Sequence, residues 1–140
     1  MALIKPLGEC PDYAPVLAYW SYNLWYRSRP IGYDLIIKAY RQRAAGTGVP
    51  AAFVAIEEDM PVGMVSLKND DLWSRKDLNP WLASLYVVPE FRRRGIARVL
   101  KLQALQYLHD RGTVSVTTRN DPRNTAVLRL NRGLGFEEAY

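Results

Sequence analysis

Apolar and polar positions along the chain change period several times, and each change marks an element. Leu3 to Leu7 reads as a short first strand, closed by a Gly-Glu-Cys-Pro turn. From Asp12 a helical repeat begins, with Pro15 in its first turn and Val16, Leu17, Trp20 and Leu24 on its apolar face. Arg27 to Tyr33 is a loop, and Asp34 is read as the N-cap of a second helix to Ala45. After the turn Gly46 to Pro50, Ala51 to Ile56 and Val62 to Lys68 form a hairpin across Glu57 to Pro61. Asn69 to Pro80 is polar and Asp-rich, hence a loop.

The stretch that organises the rest is Leu82 to Arg98. An apolar, β-branched and aromatic run reads as a buried strand and ends at Pro89, which cannot donate to a ladder. A basic turn follows. From Ile96 the period becomes helical, with Ala97, Leu100, Ala104 and Leu108 on one face and Leu105 beside it, until Gly112. Thr113 to Thr118 alternates Val114 and Val116 with hydroxyl residues and reads as a strand parallel to the central one, because a helix joins them. Asn124 to Leu134 is a last helix stopped by Gly135, and Phe136 to Tyr140 a terminal strand.

A strand, turn and helix in this order present an anion site. The first turn of a helix leaves N–H groups unpaired at the positive end of the dipole. Gly95 and the small Ala97 let an anion approach the backbone, and Arg92, Arg93, Arg94 and Arg98 add charge. A solvated basic corner would show the same residues. The turn is neither a Walker loop, which needs Gly-Lys-Ser/Thr, nor a dinucleotide G-x-G-x-x-G.

Composition narrows the partners. The chain has 140 residues, 49% hydrophobic and 24% charged, which suits one folded domain over 1–140. A net charge of +5 favours anionic partners. The basic residues gather at Arg92 to Lys101 and Arg119 to Arg132 rather than in a tail or stripe, which disfavours nucleic acid. One cysteine, Cys10, and one histidine, His109, argue against an internal disulfide and against a protein metal site. No apolar run is long enough to span a bilayer and no signal-peptide pattern opens the chain, so a cytoplasmic location is expected.

The spacing Arg92-x-x-Gly95-x-Ala97 after Val-x-Pro resembles the acyl-CoA pyrophosphate loop of the GNAT N-acetyltransferases, R/Q-x-x-G-x-G/A. Asn124-x-Ala126 followed by Leu130-Asn131-x-x-Leu134-Gly135-Phe136 resembles that family's second signature, N-x-x-A…L-Y-x-x-L-G-F. The element order agrees too. The resemblance implies an α/β fold with a mixed sheet, and an acetyl-CoA-dependent N-acetyltransferase that uses acetyl-CoA as cosubstrate and a primary amine as acceptor. The family usually continues past the G-F strand into one more strand, whereas the residues here end at Tyr140. Three readings stay open: a tail continues beyond Tyr140, the strand is absent, or a partner supplies it; a homodimer is one such arrangement.

Carried over residue by residue, the resemblance has Val87 and Val88 pairing their backbone with the pantetheine arm. The main chain near Tyr86 and Val87 polarises the thioester carbonyl. Amides around Arg93 to Arg98, with Ile96 and Ala97 among them, hold the pyrophosphate beside Arg92 and Gly95, and Asn124 helps fix the pantetheine or phosphate end. Asn131 stands where the family often has a tyrosine acid; an asparagine cannot give up a proton, but it can hydrogen-bond the leaving thiolate. Where some members place a glutamate base this chain has Trp81 or Leu82, which leaves Asp71, ahead of Asp70 and Asp77, as the candidate that orients or deprotonates the amine. The aromatic run Tyr13, Tyr19, Trp20, Tyr22, Trp25 and Tyr26 is core packing with an amphipathic rim, or a wall of the acceptor pocket. Two other classes remain open: a non-catalytic acyl-CoA sensor, and a basic domain directed at tRNA.

Overall fold

A computed structural model of the chain describes residues 2–45, 48–69, 79–120 and 123–137. Five strands form one sheet in the order β1 (Leu3–Pro6), β2 (Ala51–Glu57), β3 (Met60–Lys68), β4 (Trp81–Val87) and β5 (Thr117–Thr118). The first three pairings are antiparallel and β4 to β5 is parallel, as the intervening helix requires. The helices are α1 (Ala14–Ser21), α2 (Tyr33–Ala45), α3 (Ile96–Asp110) and α4 (Thr125–Gly133).

Two cores follow from the period-2 alternation of the central strands. Ala51, Phe53 and Ala55 of β2 face one side and meet Leu82, Ile96, Leu100, Ala104 and Leu108 beneath α3. Ala52 and Val54 face the other and meet Leu17, Ala18, Ile36, Tyr40 and Met64 beneath α1 and α2. Burying each leucine-sized side chain contributes about 1.5–3 kcal/mol, so helices cover both sheet faces. Among the described residues no helix is long and apolar enough to cross a membrane.

Four sequence expectations need correcting. The helix assigned to Asp34 begins at Tyr33, so Asp34 lies in the first turn, where a carboxylate still suits the dipole, and is not the cap. Leu24 is 46% exposed, although α-helical spacing from Leu17 puts it inward. The cause is a π-helical turn over Tyr22–Tyr26, whose wider repeat rotates everything after Ser21 off the buried face. The strand expected over 113–118 contracts to Thr117–Thr118, and Val114 is 99% exposed. Of the expected terminal strand, Phe136 and Glu137 form no strand and 138–140 lie outside the described residues.

Candidate functional site

Among the described residues, the short β5 leaves most of one edge of β4 open. Trp81 and Leu82 pair with Thr117 and Thr118, and the Thr118 hydroxyl donates to the Leu82 carbonyl at 2.8 Å. Beyond Leu82 the parallel pairing stops. There β4 carries a bulge, with Ser84 in the left-handed region at φ 57° and the register against β3 shifting between Met64 and Ser66. A non-glycine residue held so is strained, typically by about 1–3 kcal/mol, and such positions cluster at functional sites.

After the bulge, alternation decides which backbone groups the open edge presents. The Val88 N–H donates to Val62 across to β3 at 2.9 Å, and its carbonyl accepts from Phe91 N–H at 2.9 Å. Val88 thus has no free N–H for a cofactor arm, contrary to the expectation for it. Val87, the alternate residue, turns its peptide groups to the open side, where its carbonyl accepts from Arg92 Nε at 2.8 Å. Tyr86 packs its ring against Trp20, centroids 5.2 Å apart, with the Arg92 guanidinium 5.7 Å from its centre.

The basic turn ends β4 and opens α3. Arg93 has φ 64° and Gly95 φ 81°, two left-handed residues in three, the handedness from which anion-binding backbone concavities are built. Gly95 is the residue before α3 and has no side chain to cap it. The first helical bond runs from Val99 N–H to the Gly95 carbonyl at 3.1 Å, which leaves the N–H groups of Ile96, Ala97 and Arg98 without helical partners. A Cβ at Gly95 would meet nothing within 4 Å, so open space lies in front of this end. Arg93, Arg94 and Arg98 are exposed around it, with Arg94 4.8 Å over the Phe91 ring.

After β5, Asn124 caps α4 by accepting from Val127 N–H at 3.2 Å, the local reason α4 starts where it does. Asn131, on the same helix, is 6% exposed and accepts a hydrogen bond from Lys101 Nζ of α3. Sequence reasoning passed over Lys101. A signal was present: the lysine stands four after Ala97 and three before Ala104, inside an apolar stripe. It is 1% exposed, and burial pushes its pKa down to about 8. Trp81 and Leu82, at the family's glutamate position, are both buried, and among the described residues the Trp81 indole N–H has no partner. Asp70, Asp71 and Asp77 lie outside the described residues.

The aromatic run splits. Trp20, Tyr22 and Tyr26 pack against the α1–α2 core, while Tyr19 and Trp25 are 58% and 38% exposed. One set fills the core and the other stays at the surface, as the reading of core packing with an amphipathic rim expects.

Comparison with known proteins bears on the family and the fold. The chain is 28% identical over 92 residues to the aminoglycoside N(6')-acetyltransferase type 1 of Salmonella typhimurium, spanning 63% of this chain and 63% of that protein's length. It is 31% identical over 85 residues to N-alpha-acetyltransferase 30 of Schizosaccharomyces pombe, 61% of this chain and 56% of that one. Among solved structures, aminoglycoside N-acetyltransferase AAC(6')-Iy in complex with CoA superposes with a TM-score of 0.78 at 21% identity, covering 100% of this chain and 90% of the other. That likeness carries the fold. The acetyltransferase (GNAT) family profile matches residues 16–136, so the chain belongs to the GNAT acetyltransferase family.

Proposed function

We propose that the protein is an acetyl-CoA-dependent N-acetyltransferase that moves an acetyl group to a primary amine by direct attack. The observation that carries this is the open β4 edge running into an uncapped α3 N-terminus. One end offers strand backbone beside a bulge; the other offers three N–H groups that have no partner among the described residues and are ringed by arginines. An extended arm bearing a pyrophosphate fits both ends together.

In this reading the amides of Ile96, Ala97 and Arg98 bind the pyrophosphate, with Arg93, Arg94 and Arg98 adding charge. Gly95 keeps the approach clear, and Arg92 shapes the loop. Val87 offers the strand-like pairing and, with Tyr86, lies nearest the thioester carbonyl. A neutral amine attacks that carbonyl carbon, the C–S bond breaks, and Asn131 donates a hydrogen bond to the thiolate. A thiol pKa of about 8.5 makes the thiolate a tolerable leaving group without a strong acid. Asp71 is proposed, on its place in the sequence, to hold or deprotonate the acceptor ammonium; D71N should then raise the acceptor KM with acetyl-CoA affinity unchanged. The matched relatives' names make aminoglycosides and protein N-termini the first acceptors to try.

Calorimetry with acetyl-CoA, followed by CoA release across a panel of aminoglycosides, polyamines and peptide N-termini, tests the proposal. Binding with release above background for at least one amine supports it. Binding without release for any amine favours the sensor reading, and no binding overturns both. Retention of tRNA that weakens with salt would point to the basic-domain reading.

A further inference from the structure

Lys101 occupies a position that helical spacing assigns to the apolar face of α3. It is buried beside Leu100 and Ala104, and its Nζ donates to Asn131 Oδ1 on α4. Among the described residues the ammonium has this one neutral partner. A leucine or methionine would fill the space without desolvating a charge, so packing does not explain the lysine.

The chemistry of the pair fixes an orientation. An ammonium has donors only, so the Asn131 amide must turn its oxygen to Lys101 and its NH2 the other way. Depth along the site fixes a level. Lys101 lies six residues into the helix from Gly95, about 9 Å of rise. α3 runs back over β4, and a Cβ on Gly63, which pairs with Val87, would meet Leu100 Cδ1 at 3.2 Å. The turn of α3 that carries Lys101 thus lies over the Tyr86–Val87 end of β4, inward of the anion-binding end of the helix.

We infer that Lys101 is a positioning residue that locks Asn131 as a hydrogen-bond donor toward the open β4 edge, and sets a positive charge behind it to stabilise the departing thiolate. This rests on the proposed acetyl transfer. In that reaction the amine nitrogen bonds to the carbonyl carbon, and the C–S bond breaks with its electron pair left on sulfur. The proton shed by the new amide nitrogen goes to water, and the thiolate takes a proton from water; Lys101 keeps its own. Another cation reaching toward α4 is Arg98, whose guanidinium lies 3.6 Å from where a Cβ on Gly133 would stand. From β4, Leu82, Leu85 and Val87 pack into the core beneath α3 and none of them titrates.

The thiol of bound CoA reports on this without any acceptor. Its thiolate absorbance, followed from about pH 6 to about pH 11, should show it roughly tenfold more acidic, one pKa unit, than the thiol of free CoA titrated alongside. K101M should return it to the free value, K101R should keep it acidic because the charge remains, and N131D should make it less acidic than free CoA. In turnover, K101M should lower kcat about tenfold or more while the acetyl-CoA KM stays within about threefold, since only the leaving group loses its donor. Bound CoA with an unshifted thiol in the wild type, or a shift that survives K101M, overturns the inference and leaves the lysine as a tie between helices. Should K101M not fold, K101R against N131D decides by the same readout. Failure of CoA to bind the wild type at all would instead sink the acetyl-transfer reading, and this inference with it.

Discussion

Lys101 Nζ of α3 donates to Asn131 Oδ1 of α4, and neither side chain reaches bulk water. A buried pair of this kind opposes folding as long as the lysine is charged. Burial lowers its pKa from 10.5 to about 8, so between those values the unfolded chain holds a proton that the folded chain has released. Stability therefore rises with pH across that window, and the penalty is fully present below about pH 8.

The double variant K101M/N131L removes both partners and should exceed the wild type at pH 7, by at most on the order of 3 kcal/mol at 1.36 kcal/mol per pH unit. The advantage should shrink toward pH 10.5. K101M alone leaves the Asn131 oxygen unsatisfied and should fall below the double variant by about 1–3 kcal/mol. Urea titrations of all three at pH 7 and pH 10 check this. An equal gap between wild type and double variant at both pH values would show that the lysine is not desolvated as described.

Gly95 separates backbone strain from ligand exclusion. Its φ of 81° disfavours any L-residue with a Cβ, by about 1–2 kcal/mol, yet a Cβ there meets open space. Asparagine tolerates the left-handed region best among the alternatives. G95N should keep most stability and most acetyl-CoA affinity. G95E should bind at least about a hundredfold more weakly through charge and bulk, while remaining folded by circular dichroism. Calorimetric affinities for G95E equal to those for G95N would remove the pyrophosphate from this helix end.

What could be read from the sequence follows from where the decisive interactions lie. The alternation of Ala51, Phe53 and Ala55 against Ala52 and Val54, and the run from Leu82 through Arg98, encode their elements locally, and the structure keeps both. Tyr22 to Tyr26 could not be foreseen as a π-turn, because the residue pattern of a wider repeat looks α-helical until its neighbours are placed. Val114 and Val116 alternate as a strand would, but alternation without a paired neighbour is insufficient, and pairing reaches only Thr117 and Thr118. Arg92, Arg93 and Arg94 are indistinguishable as charges; only three-dimensional placement shows that Arg92 is turned back onto the strand. Lys101 was legible as a break in the stripe and Asn131 through the second signature, whereas the hydrogen bond between them, 30 residues apart, was not.

Gly63 of β3 is needed for close approach rather than for an unusual φ. A Cβ there would lie 3.1 Å from the Tyr86 carbonyl oxygen and 3.2 Å from Leu100 Cδ1. The first neighbour is backbone in a buried strand and yields little. G63A should therefore lose about 1–3 kcal/mol, as overpacked cores do, and displace the Tyr86–Val87 peptide at the open edge. Denaturant unfolding measures the first effect, and a raised acetyl-CoA KM would report the second. Stability and KM both unchanged would mean that β3 and β4 separate freely here.

Arg92 differs from the arginines that follow it. Its Nε donates to the Val87 carbonyl at 2.8 Å and its guanidinium lies 5.7 Å from the centre of the Tyr86 ring, so it links the end of β4 to the loop that opens α3. Lysine can restore the charge, but not the planar donor geometry or the guanidinium stacking on the ring. R92K and R92A should therefore weaken acetyl-CoA binding alike, by about tenfold, roughly the loss of one hydrogen bond of 1.5 kcal/mol to a misplaced loop. For Arg93 and Arg94, exposed and held by no such bond to the strand, charge is the property that counts: R93K and R94K should bind like the wild type, while R93A and R94A lose affinity that added salt largely masks. The deficit of R92K, being geometric, should persist in high salt. Calorimetry of the six variants at low and high salt distinguishes the two roles, and an R92K protein with wild-type affinity would reduce Arg92 to one more surface charge.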